Sequence, residues 1–371
     1  MSAGTVYNGT ETMTTRERIT AFLDGDDVDR FPVWLKMANP TWRTTQPEPY
    51  KSMSDIELLR HAGCDPMVGL GISTRKEAPH IQTVIEEEDG IRVTRISTPD
   101  GELRGEEKVD PYTCSWHPIV FMAETSEDLK KLCWAFMDTD YTADPDSAER
   151  ALRKMKEYCR DDVFTTAGIG PSPFMNLLQH LSGPVSTIYL MQDEPDMFRE
   201  VVDLMHRDRI RQLKAVLPAN PADTFWLIEN TSTTLLSPDI FREFCMPFLR
   251  EYSELILEHE IYPVHHMCGT LNALLELIDQ LPAAANEAFT TSPLGDVSLA
   301  EGRTRMPSKA LIGGTNATLW LDPVDKIVST VAADIAACPD RRKIFLTSAG
   351  VLPPPVSFEK AKQVVEELKR L

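Results

Sequence analysis

The fold class this sequence predicts is a parallel (β/α)8 TIM barrel with an antiparallel β-hairpin insertion near its start, and three observations predict it. From Phe164 onward, short apolar segments alternate with long helical ones, the pattern of a parallel sheet with crossover helices. Roughly eight such units fit into 371 residues, which favours a closed barrel over an open sheet. Between His80 and Val109 the apolar period becomes two, so that stretch pairs with itself instead of joining the barrel.

Residues 15–23 predict a helix after a Thr-rich cap, closed by the turn Asp24-Gly25-Asp26-Asp27, and Phe31-Pro32-Val33-Trp34-Leu35 predicts the first strand. A helix over 54–62 and the short strand 66–71 follow. In the insertion, assigned to 80–110 within a single 1–371 barrel unit, Thr83, Ile85, Ile91, Val93 and Ile96 fall at strand spacing, with turns at Asp89-Gly90 and Asp100-Gly101. Helices are expected over 126–137 and 147–160. The regular series then runs strand 164–169, a helix near 174–181, a long helix 195–217, strand 224–228, helix 238–260, strand 261–265 and helix 271–281. Strand 283–288, strand 310–313, helix 323–337, strand 343–346 and helix 358–371 complete it. The Met and aromatic residues between Tyr189 and Met205 fall at helical spacing and read as core.

Composition narrows the function. With 38 basic against 57 acidic residues the net charge is -19, so a nucleic acid or an anionic membrane surface is not the expected partner. The polar start of the chain and the absence of about 18 consecutive apolar residues lead us to expect a cytoplasmic protein. Seven cysteines without CxxC spacing indicate neither a disulfide scaffold nor a zinc ribbon. No GxGxxG follows an early strand and no GxxxxGK[ST] occurs, which removes the two commonest phosphate-binding open-sheet readings.

In a parallel barrel the residues just after each strand line the catalytic face, so the strand exits are the places to look. Ile261-Tyr262-Pro263-Val264-His265-His266-Met267-Cys268-Gly269 runs from a strand into His-x-Cys-Gly. Residues two apart on an extended segment point the same way, so His266 and Cys268 are placed to grip one metal ion; packing is the competing reading. His265 faces the opposite side, where its plainest role is packing between barrel and helix. Glu229 and Asn230 follow an apolar strand as candidates for catalysis or as a polar strand end. Glu287 and Asp296 are either site residues or helix caps. The Gly/Pro-rich exits at 168–173 and Gly313-Gly314 either let a ligand approach the backbone or form turns.

These residues together resemble the uroporphyrinogen decarboxylase superfamily, which includes the zinc methyltransferases of corrinoid-dependent methyl transfer. The likeness spans nearly the whole chain: Arg30-Phe31-Pro32-Val33-Trp34, Leu236-Ser237-Pro238 followed by Phe244 to Leu249, His266-Met267-Cys268-Gly269, Glu287 to Asp296, Gly313-Gly314 and the Pro-rich exit at Leu352 to Pro355. The decarboxylase branch carries an arginine-rich stretch after the first strand, where this chain has Lys36-Met37-Ala38-Asn39. Its aspartate after the second strand has no match near Gly71-Ile72-Ser73, and Ser348-Ala349-Gly350 replaces its last histidine-containing exit. The resemblance therefore does not imply porphyrinogen decarboxylation.

The methyltransferase branch binds zinc through His-x-Cys and a further cysteine near the last strand. His266 and Cys268 match, and Ala349-Gly350-Val351 stands at the third place. Glu287 is the expected third ligand, because Glu287-Ala288-Phe289 with Pro293 to Asp296 looks like the subgroup that demethylates substrates such as aryl methyl ethers. The resemblance thus implies a corrinoid-dependent methyltransferase with zinc held by His266, Cys268 and Glu287, and Glu229 and Asn230 orienting substrate or supplying a proton. Trp34, Lys36, Gly71 and His265 are the expected substrate-binding residues. The implied partners are a corrinoid protein supplying cobalamin and a small-molecule methyl donor or acceptor, with a homodimer as one assembly. A metal-independent decarboxylase or lyase acting on a carboxylated small molecule, and a non-catalytic corrin-binding relative, are the rival readings.

Overall fold

The computed structural model describes residues 11–111 and 114–371. Eight parallel strands form one sheet: β1 (Val33–Trp34), β2 (Met67–Gly69), β3 (Phe164–Ile169), β4 (Thr224–Ile228), β5 (Tyr262–His266), β6 (Ala285–Phe289), β7 (Ala310–Gly313) and β8 (Ile344–Thr347). Their spatial order is β1-β8-β7-β6-β5-β4-β3-β2, so the sheet curls into a nearly closed barrel with helices around it. The two ends of that order meet through Asp65, whose backbone N–H donates to Val33 O at 2.8 Å while its Oδ2 accepts from Val33 N at 2.9 Å.

Alternation along each strand sorts side chains between the interior and the helix layer. Met67, Phe164, Trp226, Val264, Ala285, Ala310, Ile312 and Phe345 fill the interior, and Ile19, Phe22 and Leu23 of the helix Thr15–Asp24 close it from the N-terminal end. That helix starts in a Thr14/Glu17 capping box and stops at Gly25, whose φ of 83° suits a residue without a side chain. The opposite, C-terminal end is therefore where strand exits face solvent.

The insertion is antiparallel as expected, with Gln82–Glu88, Ile91–Thr98 and Gly101–Val109 in a meander. It extends further than 80–110: Trp116–Val120 adds a fourth strand, and Thr74–Glu77 pairs with Asp140–Ala143 in a separate ribbon. Pro118 hides the fourth strand from a sequence reading, because proline is tolerated there only at a sheet edge. Two helices also differ from expectation. The stretch 238–260 is broken into Pro238–Phe244 and Met246–Leu257 at Cys245, where Pro247 in the first turn of the second helix cannot donate back into the first. The segment near 174–181 is α-helical over Pro173–Asn176 and then widens into a π turn, Leu177–Leu181. Tyr189 is 62% exposed, so the core reading of 189–205 holds for Phe198 and Met205 and not for it.

Candidate active site

Parity decides which strand-end side chains reach the barrel mouth. Val264 and Ala285 point inward, so His266 and Glu287, two residues on, do the same on adjacent strands and are register partners. The His266 Nδ1 bonds to Glu287 Oε2, and the Lys36 ammonium, reaching across from the β1 exit, lies 2.8 Å from Glu287 Oε1. Glu287 is fully buried, while the His266 and Lys36 side chains keep 16% and 20% of their surface open. Burial alone would neutralise Glu287 and His266. It raises the Glu287 carboxyl, but Lys36 and then His266 outweigh it and hold the group down at about 2. Burial likewise works against the His266 cation, yet Glu287 and a hydrogen bond with Cys268 lift it to about 9. The mouth thus holds an ammonium, a carboxylate and an imidazolium in a row, carrying one net positive charge.

Cys268 is exposed beside His266, and its Sγ lies 3.5 Å from Asn230 Oδ1. Asn230 reaches it because its backbone takes a left-handed turn, φ 53°, directly after β4, a conformation asparagine accepts more readily than most residues. The turn is pinned where the Asn230 and Glu229 N–H groups both donate to His266 O, at 2.9 and 3.1 Å. Five expected residues therefore meet at the C-terminal end of the barrel: Lys36, Asn230, His266, Cys268 and Glu287. Trp34 lies beneath them, half-buried and edge-on to Trp226 at 6.2 Å.

The same parity rule sends other candidates elsewhere. Glu229 follows the outward-facing Phe225 and Leu227, and is fully buried behind the site rather than in contact with the mouth. Its oxygens accept from the Ser172 backbone N–H and hydroxyl at 2.7 and 2.6 Å, and burial raises its carboxyl to about 7 against those bonds. Direct substrate catalysis by Glu229 is thereby corrected to support of the β3 exit. His265 is 1% exposed and bonds through Nε2 to Ser253 Oγ at 2.8 Å on the helix Met246–Leu257, so it packs and does not bind substrate. Asp296 is a cap: its Oδ1 accepts from the Leu271 and Asn272 N–H groups at 2.7 and 3.1 Å. Gly71 is exposed with open space around it. Gly313 ends β7 against Phe289 of β6, where a Cβ would lie 2.2 Å from Phe289 O, so its missing side chain serves strand packing.

Three site-building residues escape a sequence reading: Ser172, Gln179 and Cys245. Ser172 and Cys245 hold Glu229 by hydrogen bonds. Gln179, on the π turn, donates from Nε2 to Glu229 O at 3.0 Å and accepts at Oε1 from Asn230 Nδ2 at 2.8 Å. The one cue to Gln179 is a lone amide in the otherwise apolar run Leu177-Leu178-Gln179.

A zinc ion of the expected kind needs three protein ligands and an open position. His266 and Cys268 offer two, but both Glu287 oxygens are engaged by cations, and β8 ends in Ser348-Ala349-Gly350. Among the described residues no three His, Cys, Asp or Glu side chains are gathered to hold a metal. The donor set therefore does not fit the expected zinc, and Glu287 stands as the partner of His266 in place of a metal ligand. Among the described residues no helix is long and apolar enough to cross a membrane.

Comparison with known proteins identifies the family. Residues 135–371 match the family described as Uroporphyrinogen decarboxylase (URO-D). The chain is 25% identical over 346 residues to the methylcobamide:CoM methyltransferase MtbA of Methanosarcina mazei, covering 91% of each protein. Against the methylcobamide:CoM methyltransferase MtaA of Methanosarcina barkeri it is 29% identical over 182 residues, 48% of this chain and 50% of that one. Among solved structures, a methyltransferase from Methanosarcina mazei superposes with a TM-score of 0.60 at 17% identity, over 96% of this chain and 98% of the other, a likeness of fold.

Proposed function

This chain belongs to the uroporphyrinogen decarboxylase family, on the branch whose curated relatives are methyltransferases, and on that premise we propose that it moves a methyl group between a small methylated compound and the cobalt of a corrinoid protein. A methyl ether is the substrate class the reading prefers. The observation that carries it is the meeting of His266 and Cys268 at the open end of the barrel, with the buried Glu287 behind the imidazole and the partly open Lys36 on its far oxygen.

When a methyl carbon is taken from oxygen by cobalt(I), the carbon–oxygen bond breaks and its electron pair stays on oxygen. That oxygen then needs a proton or a positive neighbour. His266 is built for the task. Its Nδ1 is tied to a carboxylate that stabilises the imidazolium, and its partly open ring faces the mouth beside Cys268. Lys36 keeps Glu287 ionised, so the proton stays on His266 until the leaving oxygen removes it. Asn230 and Cys268 form the adjoining wall and orient the bound compound.

The approach of a second protein is supported at the rim. Leu235, Leu294, Leu321 and Val351 are each exposed, and each lies between a barrel strand and the helix after it, on the same end as His266. An apolar rim around a charged centre suits the docking of a partner that presents a corrin face.

The test is to mix the protein with cob(I)alamin and a panel of methyl ethers and methylamines, reading methyl-cobalt formation by absorbance. Wild type forms methyl-cobalt with at least one ether, and His266→Gln and Cys268→Ala lower the rate by about a hundredfold or more. Prior treatment with a zinc chelator leaves the wild-type rate unchanged. An undiminished rate in His266→Gln overturns the proton-donor assignment. Turnover of a carboxylic acid with no methyl-cobalt from any compound overturns methyl transfer in favour of the lyase reading.

A further inference from the structure

The amide of Asn230 has two ends that differ in chemistry, and its neighbours determine which one faces Cys268. Glu229 O is a backbone carbonyl with no hydrogen to give, so the Gln179 group 3.0 Å from it must be the NH2. The Gln179 carbonyl is then left to accept, and the Asn230 group 2.8 Å away must be its own NH2. Asn230 consequently turns its carbonyl oxygen to the thiol, with Oδ1 3.5 Å from Cys268 Sγ. The order carbonyl, amide, amide, thiol has one polarity, and Gln179 is the link that sets it.

The backbone at Gln179 is built for that reach. Leu177–Leu181 is a π turn in which Ser182 N–H donates to Leu177 O at 2.8 Å, five residues back. Such widened turns cost hydrogen-bond quality and recur where a side chain must be placed for function. Here the turn sets a half-buried amide between β4 and the mouth.

We propose that Gln179 is a positioning residue that locks the Asn230 amide with its oxygen toward Cys268, so that this wall of the site presents a hydrogen-bond acceptor to the thiol and to whatever binds beside it. The functional weight of that wall rests on the methyl-transfer reading, but the orientation does not. Without Gln179 the amide turns freely, and its NH2 spends part of the time on the sulfur, where a donor stabilises the thiolate that alkylating reagents attack.

The test uses the full chain and no turnover. Iodoacetamide labelling of Cys268 is followed by peptide mass spectrometry, with the exposed Cys114 and Cys159 as internal references. Gln179→Met keeps the side-chain length and removes both polar groups. It should raise the Cys268 labelling rate at least about twofold, the low end of what one such hydrogen bond contributes. In an Asn230→Ala background the same substitution should change nothing, because the group it acts through is gone. Should Gln179→Met not fold, Gln179→Ala is measured in the same two backgrounds. A labelling rate that falls or rises by less than about twofold, or one that changes equally in both backgrounds, overturns the proposal. A positive result stands even where no methyl-cobalt forms, so this inference and the proposed activity fail separately.

Discussion

Two buried charge clusters lie at opposite ends of the barrel and differ in how they are closed. At the β1–β2 junction Arg18 and Arg30 share Asp65, with contacts of 2.6 to 3.0 Å, and Arg18 also holds Asp29 at 2.7 Å. Those two cations meet the buried Asp29 and Asp65. The partly exposed Glu11 touches both guanidiniums at 3.3 and 3.0 Å and is itself paired with Lys369, so three cations face three anions. Asp65 also accepts from the Val33 N–H that joins the strands. At the mouth two cations, Lys36 and His266, meet one carboxylate, Glu287, and part of each cation remains open. The first cluster is charge-balanced and turned inward. The second keeps one positive charge in excess and aims it at the space where a ligand would sit, which is the physical mark of a site as opposed to a clasp.

If that contrast is right, the two clusters break differently. Asp65→Ala removes the fully buried anion that Arg18 and Arg30 share, leaving them Asp29 and the partly exposed Glu11, and should cost about 3–5 kcal/mol of stability, read from urea unfolding. A variant as stable as wild type would show that the junction is not a clasp. Glu287→Gln acts on chemistry instead. Without its anion, burial and the Lys36 cation are left to act against the imidazolium, and the His266 pKa falls from about 9 to the ordinary value of about 6.5 or below it. At pH 8 the protonated fraction, and with it the methyl-transfer rate, should drop at least about thirtyfold, while at pH 6 the loss is smaller. Equal losses at both pH values would mean that Glu287 holds shape and not charge. In the wild type the rate should decline only as the pH passes about 9.

The third prediction concerns the two neighbouring histidines, which titrate in opposite senses. His265 is pushed down to about 3, by burial first and then by the Lys309 cation. Its folded pKa lies below the unfolded one, so between about pH 6.5 and 3 the unfolded chain binds the extra proton and stability falls with pH. The contribution is complete above about 6.5, and at pH 5 about 2 kcal/mol of it is gone. Comparing urea midpoints at pH 7 and 5, His265→Gln should show a smaller acid loss than wild type by that amount. An identical pH slope would mean that His265 is not held neutral. His266, raised rather than lowered, contributes stability that is present below about 6.5 and lost as the pH rises through about 9.

The barrel was legible because its strands are short apolar runs at regular spacing: 164–169, 224–228 and 310–313 coincide with the observed strands. His266 and Cys268 were legible by the two-residue period of a strand. The same period, applied to Trp226 and Leu227, would have turned Glu229 away from the mouth, since it shares parity with the outward Leu227. What no spacing rule could supply was the company each group keeps. Lys36 and Glu287 lie 251 residues apart in sequence, and only barrel closure brings the ammonium onto the carboxylate expected to bind metal. Gln179 was hidden for another reason: a π turn has no sequence signature, and an amide among the polar positions Asn176, Gln179 and His180 of a helical segment reads as tolerated polarity.

The smallest effect is expected at the rim, where neither cluster reaches. Leu321 is 53% exposed on the short turn Leu319–Leu321 between β7 and the helix Val324–Ala337. Little apolar surface is lost from the folded interior when such a side chain is shortened, so Leu321→Ser should alter stability by no more than about 0.5 kcal/mol. It should also leave the rate with free cobalamin unchanged, because it touches none of Lys36, His266, Cys268 or Glu287. With a protein-bound corrinoid as acceptor the same change removes part of a docking surface and should raise KM about threefold with kcat held, well short of the loss at an interface hot spot. Equal kinetics with free and protein-bound corrinoid would separate the apolar rim from the charged centre, and leave the exposed leucines as ordinary surface.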